Sequence, residues 1–400
     1  MGLTARDFPP EFLFGAATSA HQVEGRNDNC DWWAWEQRGG SKDPSGDACD
    51  HYRQYPEDIA LLRDLGLNSY RFSVEWARIE PREGQFDPLA LSHYRDMVER
   101  CRELGVEPIV TLHHFTLPSW LSQRGGVLAP DSAQLFARYC RKVAETLKGR
   151  ATWVLTINEP MILVLMGYVQ GAWPPGKRPA AEAVRAARRL AAWHREAFAA
   201  IRQADPDMRL GIAKHWIDFR PLDAGDRLHR LGSRLQHHLF NRWYLDQVKS
   251  HCDFIGINYY ARQYTTGLLR QVPLAAQGAP HTEMGWSIVP EGLRLALVEA
   301  ASYGLPLIVT ENGIACQDDL QRLRYITSHL AAVRQAMAAG ADVRGYQYWS
   351  LLDNFEWAEG YRPEFGLIAV DRQTQSRTVR ESARRYGEIA KTGLLPEAAD

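Results

Sequence analysis

The sequence predicts an α/β fold closed as a single (β/α)8 TIM barrel, on three observations. Eight short β-branched or apolar runs alternate with longer amphipathic stretches along 400 residues. Several of the amphipathic stretches end on a glycine, the usual residue just past a helix. Polar side chains gather at the C-terminal ends of the runs, where the active site of such a barrel forms.

The elements follow in order. The first run is FLFGAAT (12–18). YPEDIALLRDLG (55–66) has apolar residues at i, i+3, i+4 and i+7, the helix period, and ends on Gly66. SYRFSVEW (69–76) is the second run and LSHYRDMVERCRELG (91–105), ending on Gly105, its helix. EPIVTLHH (107–114) and AQLFARYCRKVAETLKG (133–149), ending on Gly149, repeat the pair. TWVLTINEP (152–160) closes a buried-looking strand on an amide and a carboxylate, Asn158 and Glu159, and breaks it with Pro160. A strand that only fills a core has no use for that ending. GAWPPGKRP (171–179) reads as a loop after strand four, and 265–286 as another after strand six. RLGIAKHW (209–216), DFIGINYY (253–260), PLIVTENG (306–313) and GYQYWSLLD (345–353) complete the eight, the number that closes a barrel. No linker or longer repeat interrupts this rhythm, so residues 1–400 are expected to form one domain.

Composition narrows the function. A net charge of −1 gives no footprint for nucleic acid or an anionic membrane, and neither is expected as a partner. Thirteen tryptophans and sixteen tyrosines suit ring-shaped ligands as well as a core. Six scattered cysteines without a CxxC pair favour free thiols. With no apolar leader and no run of membrane-spanning length, a cytoplasmic location is expected. The adjacent pairs His113–His114 and His237–His238 lack the spaced partners of a zinc site, so no metal and no cofactor is expected.

The strand ends carry Gln22, Arg71, His114, Asn158 with Glu159, Asn258 with Tyr260, Glu311, and Trp349 followed by Glu356 and Trp357. Singly, each has a plain structural reading. Arg71 suits a core ion pair, His114 a satisfied core histidine, and Tyr260 and Trp349 packing. Together they line one rim. Glu159 and Glu311 end strands four and seven, which face each other across an eight-stranded mouth. Two carboxyl groups flanking a bond are the equipment of glycoside hydrolysis: one protonates, the other attacks or activates water.

These residues carry a family resemblance. FLFGAATSAHQVEG (12–25), YRFSVEWARIEPREG (70–84), TLHHFTLPSWL (111–121), TINEP (156–160), FIGINYYAR (254–262), GWSIVPEGL (285–293), VTENGI (309–314) and YWSLLDNFEWAEGYRPEFGL (348–367) resemble glycoside hydrolase family 1 in family order. The resemblance implies Glu159 as acid/base and Glu311 as nucleophile of a retaining mechanism, with carboxyl groups about 5–5.5 Å apart. It implies Arg71, Asn258 and Tyr260 as catalytic support, with Arg71 keeping Glu311 ionised and burial beside that charge raising Glu159. Asn158 corresponds to the partner of the sugar 2-hydroxyl. Gln22, His114 and Glu356 correspond to residues holding other hydroxyls, Trp349 to the platform under the ring, and Trp357 to an indole N–H donor.

The expected function is an exo-acting β-glycosidase releasing terminal glucose, with galactosides or fucosides as side substrates, on a small β-glycoside or oligosaccharide. A transglycosylase with the same glutamate pair, and a silent sugar-binding barrel, are the alternatives; oligomeric state is not legible. The family's 6-phospho-sugar branch carries Ser, Lys and Tyr where this chain has Glu356, Pro363 and Phe365, and its thioglucosidases replace the acid with Gln. Both branches are disfavoured. The chain departs from the family at Phe115 and Thr116, at Glu75 where Ser is usual, and in AKHW (213–216), where Asn is common. These departures are expected at the rim, affecting the leaving-group side.

Overall fold

The structure is a computed structural model that describes residues 6–272 and 281–396. Its eight barrel strands are β1 Leu13–Ala17, β2 Ser69–Ser73, β3 Glu107–His113, β4 Trp153–Asn158, β5 Arg209–Pro221, β6 Phe254–Thr266, β7 Leu307–Asn312 and β8 Val343–Trp349. Each pairs in parallel with the next, and β8 returns to β1, Ala17 standing opposite Trp349. One main helix follows each strand: α1 His51–Leu65, α2 Pro88–Glu103, α3 Ser132–Leu147, α4 Ala180–Ala204, α5 Arg227–His237, α6 Pro290–Ala301, α7 Asp319–Ala338 and α8 Glu381–Thr392. All eight expected runs fall on barrel strands.

Side chains alternate about the barrel wall. Ile109, Leu155, Ala213, Phe254 and Ile308 fill the barrel's lower interior. Their neighbours point outward: Thr156 Oγ1 lies 2.6 Å from His194 Nδ1 on α4. Helix ends follow the sequence signals. Gly66 ends α1 at φ 97°, and its N–H donates to the carbonyls of Arg63 and Leu62. All six cysteines are buried and free.

Two expectations need correction. Strands β5 and β6 run well past the expected 216 and 260, because beyond the barrel they pair with each other as a ribbon, Asp218 to Pro221 opposite Arg262 to Thr265. Asp218 clamps it by accepting from Arg220 Nε at 2.7 Å and Arg262 Nε at 2.6 Å. The loop expected over 265–286 therefore begins in strand, and Arg270–Val272 turns back antiparallel on β6. Residues 273–280 of that loop lie outside the described residues. Among the described residues no helix is long and apolar enough to cross a membrane.

Register irregularities mark three of the strands that carry the polar cluster. They fall between Leu155 and Asn158 on β4, at Ile257/Asn258 on β6, and between Val309 and Asn312 on β7. Such breaks re-aim side chains at a barrel rim.

Candidate active site

A cavity of about 220 Å³ opens at the C-terminal ends of the strands. Gln22, His114, Asn158, Glu159, Tyr260, Glu311, Trp349, Glu356 and Trp357 all line it. Arg71 and Asn258 lie just beneath, fully buried. The structure thus brings together all eleven catalytic, support and sugar-binding candidates of the sequence.

Glu159 follows the end of β4 with φ 43°, in the left-handed region. Its N–H donates to Ala213 O at 2.8 Å, and Pro160 starts a short helix at the first position, where a missing N–H costs nothing. Strand end, irregular register and proline together aim the carboxyl inward. Phe115 at φ 75° and Trp357 at φ 49° line the same cavity. Three of the seven non-glycine residues with positive φ among the described residues therefore meet at this site, as strained backbone often does where function over-determines it.

One buried cation organises the floor. Arg71 Nη1 donates to Glu311 Oε1 at 2.5 Å and to Thr310 O at 3.0 Å, Nη2 to Asn158 Oδ1 at 2.7 Å, and Nε to Thr111 Oγ1 at 3.1 Å. Tyr260 OH donates to the other oxygen of Glu311 at 2.8 Å. Across the cavity, Asn258 Nδ2 donates to Glu159 Oε1 at 2.8 Å and to Asn158 Oδ1 at 3.2 Å. Asn258 is fixed in turn by Thr310 Oγ1, which donates to its Oδ1 at 2.6 Å.

The sequence reading passed over His215 on β5. Its Nδ1 lies 2.8 Å from Glu159 Oε1, and its ring stacks 5.8 Å from Tyr260. The only sequence signal was the departure of AKHW from the family's usual asparagine. Beside it, burial pushes the Lys214 amine down to about 7, with Glu159 pulling the other way.

His215 also changes the expected proton distribution. Burial pushes the Glu159 carboxyl up, but the His215 ring, its hydrogen bond, Asn258 and Arg71 together outweigh it and bring the pKa below the ordinary value. Glu311 is pushed up to about 7 by burial, with Arg71 pulling down and the Glu159 charge pushing up. The two carboxyl groups titrate as a coupled pair, which holds one proton near neutrality in the free site, the proton the acid needs.

The opposite wall is built for hydroxyl groups and ring faces. Gln22 Nε2 donates to Asn354 Oδ1 at 3.0 Å, Phe355 O at 2.9 Å and Glu356 Oε2 at 3.2 Å. Glu356 is pushed up to about 8, first by burial and then by the charges of Glu311 and Glu159. His114 Nε2 lies 3.2 Å from Asn158 Nδ2, and its ring stacks between Trp349 at 5.8 Å and Trp357 at 6.1 Å. Phe115, Trp173, Trp286 and Phe365 supply further apolar wall.

The departures from the family sort differently from expectation. Phe115 lines the cavity, but Glu75 and Thr116 do not. Both are buried, and Thr116 Oγ1 donates to Glu75 Oε1 at 3.1 Å and Oε2 at 2.9 Å. Where the family has Ser at 75 and Asp after the Trp, this chain has the carboxylate and hydroxyl exchanged. Two departures read as separate meet in one buried contact outside the cavity, so neither lines the leaving-group side. Among the described residues no three His, Cys, Asp or Glu side chains cluster as a metal site.

An eight-stranded parallel barrel with two carboxylates bridged across its mouth defines a glycoside-cleaving barrel enzyme. Comparison with known proteins gives the family. The pattern described as Glycosyl hydrolase family 1 matches residues 4–250 and 246–394. Beta-glucosidase A of Thermotoga maritima is 32% identical over 447 residues, covering 99% of this chain and 100% of that one. The bifunctional beta-D-glucosidase/beta-D-fucosidase of Bifidobacterium breve is 34% identical, covering 95% and 97%. Among solved structures, the beta-glycosidase from Pyrococcus horikoshii superposes with a TM-score of 0.92 at 39% identity, covering 98% and 96%. The chain belongs to glycosyl hydrolase family 1.

Proposed function

We propose that this enzyme is a retaining, exo-acting β-glucosidase that removes terminal β-D-glucose from unphosphorylated glycosides, with Glu311 as nucleophile and Glu159 as acid/base. The observation that carries the proposal is the hydrogen-bonded bridge between the two carboxylates. Arg71 joins Glu311 to Asn158, and Asn258 joins Asn158 to Glu159.

The roles follow from the donors. Each oxygen of Glu311 receives a hydrogen bond, from Arg71 and from Tyr260, and both favour the carboxylate that must attack. Both bonds to Glu159 fall on Oε1, and no hydrogen bond among the described residues reaches Oε2, which is left for the leaving group. In the first step Glu311 bonds to the anomeric carbon, the glycosidic C–O bond breaks, and the Glu159 proton goes to the departing oxygen. In the second, water attacks the same carbon, Glu159 takes its proton, and the ester to Glu311 breaks. Two inversions return the starting configuration. The charge of Glu311 disappears in the ester, which weakens the repulsion on Glu159 and suits its change from acid to base.

The sugar fits the remaining groups. Asn158, beside the nucleophile, suits the 2-hydroxyl; Gln22, His114, Glu356 and the Trp357 indole suit the others; Trp349 offers a ring face. Glu356, where the 6-phospho branch has Ser, and Pro363, where it has Lys, offer a 6-phosphate no cation. The relatives named beta-glucosidase and beta-D-glucosidase/beta-D-fucosidase support glucosides first and fucosides second. Six free buried thiols accord with a reducing, cytoplasmic setting. The test is proton NMR of 4-nitrophenyl β-D-glucoside hydrolysis. β-Glucose appearing first supports the proposal; α-glucose first overturns retention, and no turnover of any nitrophenyl β-glycoside overturns the activity.

A further inference from the structure

Helix α5 is turned inside out. Its buried residues are Gly232, Ser233 and Gln236, followed by Asn241 in the next turn. They hold the helix by polar contacts: Gln236 Nε2 donates to Leu268 O at 3.2 Å, and Asn241 Nδ2 donates to Ile217 O at 2.8 Å. The leucines point to solvent instead. Leu228, Leu231, Leu235 and Leu239 are 49%, 57%, 37% and 45% exposed. At spacings of three, four and four they form one stripe, about 16 Å long at the helical rise. An amphipathic helix normally buries that stripe against its own protein. The turn packed on the helix at Gly232 adds two more exposed leucines, Leu268 and Leu269.

Charge selects what covers this face. Arg227, Arg234 and Arg270 are exposed and form no ion pair among the described residues. Arg230 donates to the carbonyls of Ala224 and Gly225. The nearby carboxylates are already engaged. Asp226 caps α5 by accepting from the N–H groups of Leu228 and His229, Asp218 holds Arg220 and Arg262, and Glu299 holds His237 and Arg242. A second copy of the chain would bring the same arginines together against only Asp223 and Asp226, each already accepting from backbone N–H groups. An anionic lipid surface supplies both an apolar layer for the leucines and negative headgroups for the arginines. We propose that the outer face of α5, with the Leu268–Leu269 turn, docks this enzyme on anionic membrane surfaces. A net charge of −1 over the chain conceals this local excess, which is why composition argued against it.

The test is co-sedimentation of the full chain with vesicles of phosphatidylglycerol in phosphatidylcholine, against phosphatidylcholine alone. Binding is expected to the anionic vesicles only and to weaken as salt is raised. Arg227→Gln/Arg234→Gln should bind about 25-fold more weakly, roughly five-fold per arginine. Leu231→Ser/Leu235→Ser should abolish binding. Both variants alter only solvent-facing side chains, so turnover of a soluble nitrophenyl glucoside should stay at the wild-type level and report that they fold. Absence of binding to anionic vesicles at low salt, or equal binding by either variant, overturns the proposal. Equal binding to phosphatidylcholine alone overturns the role of the arginines. A lipid-free dimer in analytical ultracentrifugation that the leucine variant dissociates, without vesicle binding, overturns the proposal and assigns the face to a second copy.

Discussion

Replacing His215 with asparagine removes a ring that can carry charge from Glu159 while keeping a side chain able to donate a hydrogen bond. The ring nitrogen is 2.8 Å from the carboxyl oxygen, and both side chains are mostly buried, 12% and 8% exposed. Opposite unit charges about 4 Å apart at an effective dielectric of ~20 attract by about 4 kcal/mol. That is a ceiling of roughly three pKa units at 1.36 kcal/mol each. Water in the open cavity screens the pair, which leaves a shift of about one unit. The sign is fixed. The His215 ring lowers Glu159, so removing it destabilises the doubly ionised glutamate pair most, and the last proton is held to higher pH. The wild-type kcat/KM profile should be bell-shaped, with its alkaline limb set by the second ionisation of the pair, near the value of about 7 for Glu311. In His215→Asn that limb should rise by about one unit. The assay is kcat/KM for a nitrophenyl β-glucoside from acid to alkaline pH, with a thermal melt at each end to exclude unfolding. An alkaline limb that stays put or falls would refute the argument that His215 acts on Glu159 through its charge.

Three further outcomes follow from the same geometry. Arg71→Met removes the buried cation bonded to Glu311, so the acidic limb should also move to higher pH. Breaking a buried pair costs about 3–5 kcal/mol, so chemical denaturation should show a large loss of stability; unchanged stability and profile would mean Arg71 is not the organiser of the floor. Glu356→Ser removes a carboxyl group held mainly protonated near neutrality, whose hydrogen bonds contribute about 0.5–1.5 kcal/mol each, and glucoside kcat/KM should fall roughly ten-fold, whereas an unchanged value would mean that Glu356 does not hold the sugar. Thr116→Val leaves buried Glu75 without its hydroxyl donor and should cost about 1–3 kcal/mol of stability with little change in kcat/KM. Exchanging both partners, Glu75→Ser with Thr116→Asp, should recover most of that loss, and simple additivity of the two single losses would show that the contact is not a unit.

The barrel was legible because hydrophobic period and helix-terminal glycines are local properties. Runs such as 107–114 and 306–313 carry them without reference to the rest of the chain. The polar cluster was legible because Asn158, Glu159 and Glu311 make no sense as core ends. What lay beyond reach was pairwise. The extension of β5 into a ribbon depends on β6 arriving beside it. His215 gains its meaning only from a strand neighbour 56 residues away in sequence. Glu75 and Thr116 looked like two separate rim departures because their contact spans 41 residues. The proton balance of the glutamate pair was out of reach for the same reason: it depends on every charge facing the cavity, the His215 ring included. The leucine stripe on α5 had the right period for a buried helix face, and only exposure in the folded chain reveals that it points outward.

The most direct test of the central claim is the anomeric configuration of the azide products of the two glutamate variants. With Glu311→Gly, azide should enter from the vacated face of the sugar and give the α-glycosyl azide from an activated β-glucoside. With Glu159→Ala, the glycosyl-enzyme still forms and azide should attack it from the opposite face, giving the β-glycosyl azide. NMR of the isolated products distinguishes the two. The account predicts α from the Glu311 variant and β from the Glu159 variant; the reverse pairing would exchange the roles of nucleophile and acid/base and contradict the reading of the site.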